Sequence, residues 1–187
     1  MSILTRISSC FGYLWVEVTD FLYSDFYLSD LGERDPPPVH PRFTEMIRYL
    51  AQVAPQGCLP GRQHIDPCDL RHVLTLVNLI DVERSGGSVR FRYRLVGEQQ
   101  RLAAGRNITG LVVEEAVVPN LVARINGNMK KVLATRLPVY DRFPMPHPDR
   151  QFIDSQRMYH PLATDGETVD MLLILNGYDS AAVKAVG

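Results

Sequence analysis

Apolar residues at Leu4, Ile7, Phe11, Leu14, Val18 and Phe21 recur at spacings of 3, 4, 3, 4 and 3, and Ile3, Trp15 and Leu22 widen the stripe. That period predicts an amphipathic helix over residues 1–28. A stripe this wide must be buried on the chain's own domain, on a second copy or on a partner. Its polar face lacks the lysines and arginines of a helix that lies on a membrane surface. Residues 29–41 lose the period and contain Pro36-Pro37-Pro38, which predicts a stiff linker. A second helix is predicted from Pro41, with Phe43, Met46, Ile47, Leu50, Ala51 and Ala54 on one face and Pro55 with Gly57 as its stop.

From residue 58 the pattern changes. Leu59-Pro60-Gly61 opens a loop, and Asp66-Pro67 reads as the cap of a short helix through Leu70 and His72. The branched run Leu76 to Val82, the turn Ser85-Gly86-Gly87-Ser88 and the alternating run Val89 to Val96 predict a β-hairpin. Val89, Phe91, Tyr93 and Leu95 then face one side, and Arg90, Arg92 and Arg94 the other. A short helix over Glu98 to Ala104, a compact connection over Arg106 to Gly110 and a longer helix over 119–135 follow. The long helix gathers Leu121, Val122, Ile125, Met129, Val132 and Leu133 on one face. Three strands close the chain, at Leu137 to Phe143, Gln151 to Leu162 and Val169 to Tyr178, the last two joined by Ala163 to Glu167, whose Asp165-Gly166 is a turn signal. The order predicts an α+β domain at 42–179 with one antiparallel sheet crossed by helices, and a short tail at 180–187.

Composition narrows the classes. A chain of 187 residues, 45% hydrophobic and 22% charged, suits one soluble domain with accessories. Its net charge of −1 supplies no field for nucleic acid. Glu17, Asp20 and Asp25 interrupt the only apolar stretch that approaches a membrane span, so no transmembrane segment is expected. Arg6, directly before Ile7-Ser8-Ser9-Cys10, leaves no room for an export signal. Cys10, Cys58 and Cys68 are odd in number and lack metal-site spacing, which points to reduced thiols and a cytoplasmic location, with no metal site.

Three words of the sequence carry a resemblance. Leu59-Pro60-Gly61-Arg62 through Ile65-Asp66-Pro67, the strand Phe91-Arg92-Tyr93-Arg94-Leu95-Val96-Gly97, and Gly105-Arg106-Asn107-Ile108-Thr109-Gly110 resemble a bacterial family of short, stand-alone PAS-like proteins, over about residues 40–179. The resemblance implies a five-stranded antiparallel sheet in spatial order 2-1-5-4-3 with helices on one face and the N-terminal helices added to it. It also implies a pocket between that sheet and the helix at 119–135, and a role in sensing or relaying signals. Known PAS chemistries fit poorly. Light-sensing flavin members place a cysteine directly after Gly-Arg-Asn, where this chain has Ile108, so a covalent flavin adduct is disfavoured. Residues 97–135 hold no cysteine for a thioester-linked chromophore. His40, His64, His72, His147 and His160 all lie outside the helical region that supplies an ordinary haem ligand. The cofactor is left unknown.

Candidate pocket residues are Phe91, Tyr93 and Leu95 from the hairpin, Ile125 and Met129 from the long helix, and Arg157 and His160 from a strand whose two faces are equally mixed. Leu4, Ile7, Phe11, Leu14, Val18 and Phe21 form the candidate dimer or partner surface. Glu114-Glu115 reads as a solvated pair, and His147 with Asp149 as an exposed loop. The arginine stripe is expected to pair with acids such as Asp81. No catalytic residue is assigned. The leading reading is a stand-alone sensory or relay module that binds a small ligand, a partner protein or both, forms a homodimer, and signals to a separate effector protein. Two alternatives stand beside it: a small-molecule enzyme using Tyr93, Asp154 or His160 as acid and base, and a ligand-free scaffold that binds partners through its sheet face.

Overall fold

The computed structural model describes residues 20–144 and 154–178. In chain order the elements are β1 (Leu22–Tyr23), α1 (Asp25–Leu31), α2 (Pro41–Val53), β2 (Val77–Ser85), β3 (Ser88–Leu95), α3 (Glu98–Ala104), α4 (Val113–Ala116), α5 (Pro119–Thr135), β4 (Val139–Pro144), β5 (Asp154–Leu162) and β6 (Met171–Tyr178). The strands form one sheet in the order β1-β4-β5-β6-β2-β3. The five long strands are antiparallel and keep the 2-1-5-4-3 order. The sheet is nevertheless six-stranded and mixed, because β1 adds to the edge of β4 in parallel, pairing Leu22 with Val139 and Tyr23 with Tyr140.

Helices cover both faces, not one. Against one face packs α2, whose Phe43, Met46, Ile47 and Leu50 are buried with Leu79, Met158, Leu162 and Leu173 from the sheet. Each such side chain contributes roughly 1.5–3 kcal/mol by leaving water. Pro41 occupies the first turn of α2, and His40 Nδ1 accepts from the Arg42 amide at 3.2 Å. On the opposite face Ile125, Met129 and Val132 of α5 meet Ile80, Phe91, Tyr159 and Ile174. Because both faces are buried, β5 reads as neither clearly amphipathic nor clearly apolar.

The N-terminal elements differ from the expected continuous helix over 1–28. Leu22–Tyr23 is extended and α1 begins separately at Asp25. Phe21 does not extend a free apolar seam; it packs edge-on to Tyr23 and Tyr140, in an aromatic group completed by Tyr27 and Phe43. Leu4, Ile7, Phe11, Leu14 and Val18 lie outside the described residues, as do His147 and Asp149. Residues 67–73 form successive turns where a helix was expected, and Asp66 Oδ1 accepts the Cys68 amide at 2.8 Å at their start. The hairpin turn is as expected: Ser85 pairs with Ser88, and Gly86 and Gly87 take φ of 55° and 78°. The β5–β6 link runs over residues 163–170, and Asp165 Oδ1 accepts the amides of Glu167 and Thr168 at 2.8 and 2.7 Å within it. No helix among the described residues is long and apolar enough to cross a membrane.

Candidate ligand pocket

The face of the sheet under α5 carries more polar groups than a core needs. Register pairs Asp141 with Arg157 and Arg157 with Asn176, so three polar side chains lie side by side across β4, β5 and β6. All three are buried. Asp141 is fully compensated: it accepts from Arg124 Nε at 2.9 Å and Nη2 at 2.5 Å, from Asn128 Nδ2 at 2.6 Å and from the Arg142 amide at 2.8 Å. Arg124 also reaches Asp30 of α1 at 2.6 Å, so one guanidinium joins α1, α5 and β4.

Beside this network lies a cavity of about 440 Å³, lined by Tyr93 of β3, Arg157 of β5, Gln100 and Ala104 of α3, Arg106 and Ile108, and the 116–119 link into α5. Its size suits a small organic ligand. Arg157 is 3% exposed. Its Nε donates to Ser155 Oγ at 3.3 Å, and its guanidinium lies 4.7 Å from the centre of the Phe143 ring. Burial pushes the Tyr93 phenol up from its ordinary value, against the pull of the neighbouring Arg157 charge, so at neutral pH it is an O–H that donates. Elsewhere in the lining Arg106 Nη2 donates to the carbonyls of Glu115 and Ala116 at 2.7 and 3.3 Å, which ties it to the end of α4. No aspartate or glutamate is among the described lining residues.

The Gly105-to-Gly110 stretch builds one side of this cavity. Gly105 ends α3 in the left-handed conformation, Asn107 Oδ1 accepts the Thr109 amide at 3.0 Å, and Ile108 is buried. The stretch then clasps β3: the Gly110 amide donates to Tyr93 O at 2.7 Å and the Tyr93 amide to Leu111 O at 3.0 Å. The same stretch that supplies Arg106 therefore also fixes Tyr93.

Of the sequence-derived pocket residues, the structure brings Tyr93 and Arg157 together on the cavity wall. Phe91, Ile125 and Met129 share that face but lie in its packed core. Leu95 does not join them. A bulge sets Leu79 opposite Leu95 and Ile80 opposite Tyr93, so Leu95 swings to the α2 side at the sheet edge and is 45% exposed. His160 also lies on the α2 side, with Met158 and Leu162, because strand alternation places it opposite Arg157 in facing. Asp154 shares that facing and pairs with Arg142 at 2.5 Å. Tyr93, Asp154 and His160 therefore do not converge on one site. Arg92 and Arg94 are paired, to Glu83 at 2.6 Å and Asp81 at 3.3 Å. Glu114 and Glu115 lie on α4, a helix the sequence reading missed, where Glu114 accepts from Asn126 at 2.8 Å. Among the described residues no cluster of three or more His, Cys, Asp or Glu could hold a metal ion.

Sequence reasoning also missed Gln100, Arg106 and the Asp141 network. Asp141 was visible in principle, as an acid alternating between Val139 and Phe143 on an otherwise apolar strand face. Arg106 stands inside the Gly105-to-Gly110 motif.

A six-stranded mixed sheet with helices on both faces, and a cavity bordered by β3, β5, α3 and the link into α5, define the class as an α+β module with a pocket beside its sheet. The family model described as PAS domain matches residues 39–175, most of the chain and all but the first elements of the sheet-and-helix unit. The chain belongs to the PAS domain family, whose members serve broadly in sensing and signalling. A search of curated proteins found no match.

Proposed function

We propose that the chain is a PAS sensory module that binds a small molecule with an anionic group, such as a carboxylate, in the cavity bordered by α3 and the link into α5, and relays occupancy to a separate protein. The observation that carries this reading is Arg157, a buried guanidinium on the wall of a ligand-sized cavity, with Tyr93 near it and Arg106 also in the lining. Among the described residues, two cationic ones and no carboxylate line that space, so an anion meets complementary charge and a neutral donor. Binding without catalysis fits the separation of Tyr93 from His160 and Asp154 by the thickness of the sheet. Homodimerisation and a cytoplasmic site of action belong to the same reading, and the exposed, unpaired thiols of Cys58 and Cys68 suit a reducing compartment. Native mass spectrometry of the freshly purified full chain is the test. It should show a dimer carrying a retained acidic small molecule, and Arg157→Met should lose the molecule while keeping the fold by circular dichroism. A chain that carries nothing and gains no thermal stability from any member of a carboxylic-acid library would refute the reading.

A further inference from the structure

The opposite face of the sheet holds a second cavity, of about 390 Å³, between the end of α2, the loop at 55–60, the residues before β4 and the end of β5. Its walls are mainly apolar, with Leu50, Ala51, Leu59 and Leu137 among them. The floor is not. His160 lines the cavity, is 1% exposed, and neither of its ring nitrogens has a hydrogen-bond partner. Burial pushes its pKa down to about 3, so the ring is neutral and offers one N–H donor and one acceptor nitrogen. Buried polar groups in native proteins are almost always partnered, and an orphaned pair of this kind asks for a bound group.

The chemistry of that group follows from the lining. Asp20 and Arg136 carry opposite charges and both border the space, so an ion of either sign gains no net attraction. Apolar walls favour a molecule that is mostly hydrocarbon or aromatic. A hydroxyl both donates and accepts, and so partners a ring nitrogen facing the cavity in either tautomer.

We propose that this cavity is a second ligand site, which takes an uncharged, mainly apolar molecule and holds the molecule's hydroxyl group on His160. The site lies across the sheet from Arg157 and does not depend on the anion-binding reading of the first cavity.

Phenol and benzene are matched probes, alike in shape and differing in the hydroxyl. In the full chain with nitrogen-labelled histidine, phenol should shift the His160 ring nitrogens saturably, and benzene should bind at least about tenfold more weakly. His160→Leu should bring the two affinities within about twofold. Ala51→Trp, which places a large ring at an exposed position on the cavity wall, should block both probes and remains informative if His160→Leu does not fold. Equal binding of phenol and benzene, or His160 nitrogens that do not move, would overturn the proposal. So would binding that survives Ala51→Trp, or that responds instead to Arg157→Met, which would place phenol in the first cavity.

Discussion

Asp141→Asn probes the network that ties α1 and α5 to the sheet. Asp141 has no exposed surface and accepts four hydrogen bonds, three of them from Arg124 and Asn128 side chains. Asparagine keeps the shape but removes the charge and turns one acceptor into a donor that faces other donors. Breaking a buried ion pair by removing one partner costs about 3–5 kcal/mol. Arg124, whose side chain is 11% exposed, would keep Asp30 and the Arg142 carbonyl, which places the expected cost near the lower end, at about 3 kcal/mol. With an m-value of about 2 kcal/mol/M, the urea midpoint should fall by about 1.5 M. Arg124→Met should cost a similar amount, because it leaves Asp141 charged and buried. The double variant should cost clearly less than the sum, with a coupling energy of about 2 kcal/mol. Urea unfolding followed by far-ultraviolet circular dichroism at pH 7 measures all four proteins. A loss below about 1 kcal/mol for Asp141→Asn, or strict additivity in the cycle, would refute the argument that this network bears on stability.

Two further outcomes are expected. His160 has a folded-state pKa of about 3, below the unfolded value near 6.5, so the unfolded chain takes up the proton first. Its contribution is therefore intact above about pH 6.5 and erodes as the pH falls toward 3, by about 2 kcal/mol at pH 5. Unfolding free energies of wild type and His160→Leu, each compared between pH 7 and pH 5, should differ in slope by that amount; parallel profiles would sink the claim. Gly97→Ala should destabilise by about 1–3 kcal/mol, because a Cβ there would stand 2.5 Å from the Thr75 carbonyl oxygen and 2.7 Å from that of Val77, both backbone atoms that cannot yield. An unchanged thermal midpoint in Gly97→Ala would show that the turn between β3 and α3 can relax.

How much of this was legible varied with the physics of each element. The long helix was readable to its ends, because Pro119 opens it and a single face carries Ile125, Met129 and Val132. The β2–β3 hairpin was readable because Gly86-Gly87 can take the conformation its turn demands. Strand β5 was different: with helices over both faces, Arg157 and His160 gave no period-2 contrast, and only the register with β4 and β6 assigns them to opposite sides. Leu95 was misplaced by a bulge, which a strict alternation cannot foresee. Strand β1 is two residues long, and its identity comes from pairing with β4 rather than from its own sequence. The two cavities were half legible, since Tyr93 and Arg157 were picked out for one, while the other was hidden by assigning His160 to the same pocket.

The strip of chain that follows Gly105 has a consequence beyond the cavity it borders. Val112 bridges to Arg92, and the amides and carbonyls around Tyr93 are taken up by Gly110 and Leu111, so this strip lies along the outer side of β3. At the far side of the sheet β1 does the same for β4. Bare strand edges are templates onto which other chains can add and grow into aggregates. Here each outer strand is covered in part, β3 around Arg92 and Tyr93 by a strip from within the domain and β4 at Val139 and Tyr140 by a strand from before it. A newly made copy that meets another in a crowded solution therefore offers it a shorter run of backbone to zip onto, which shifts recognition toward side chains, the more selective partners.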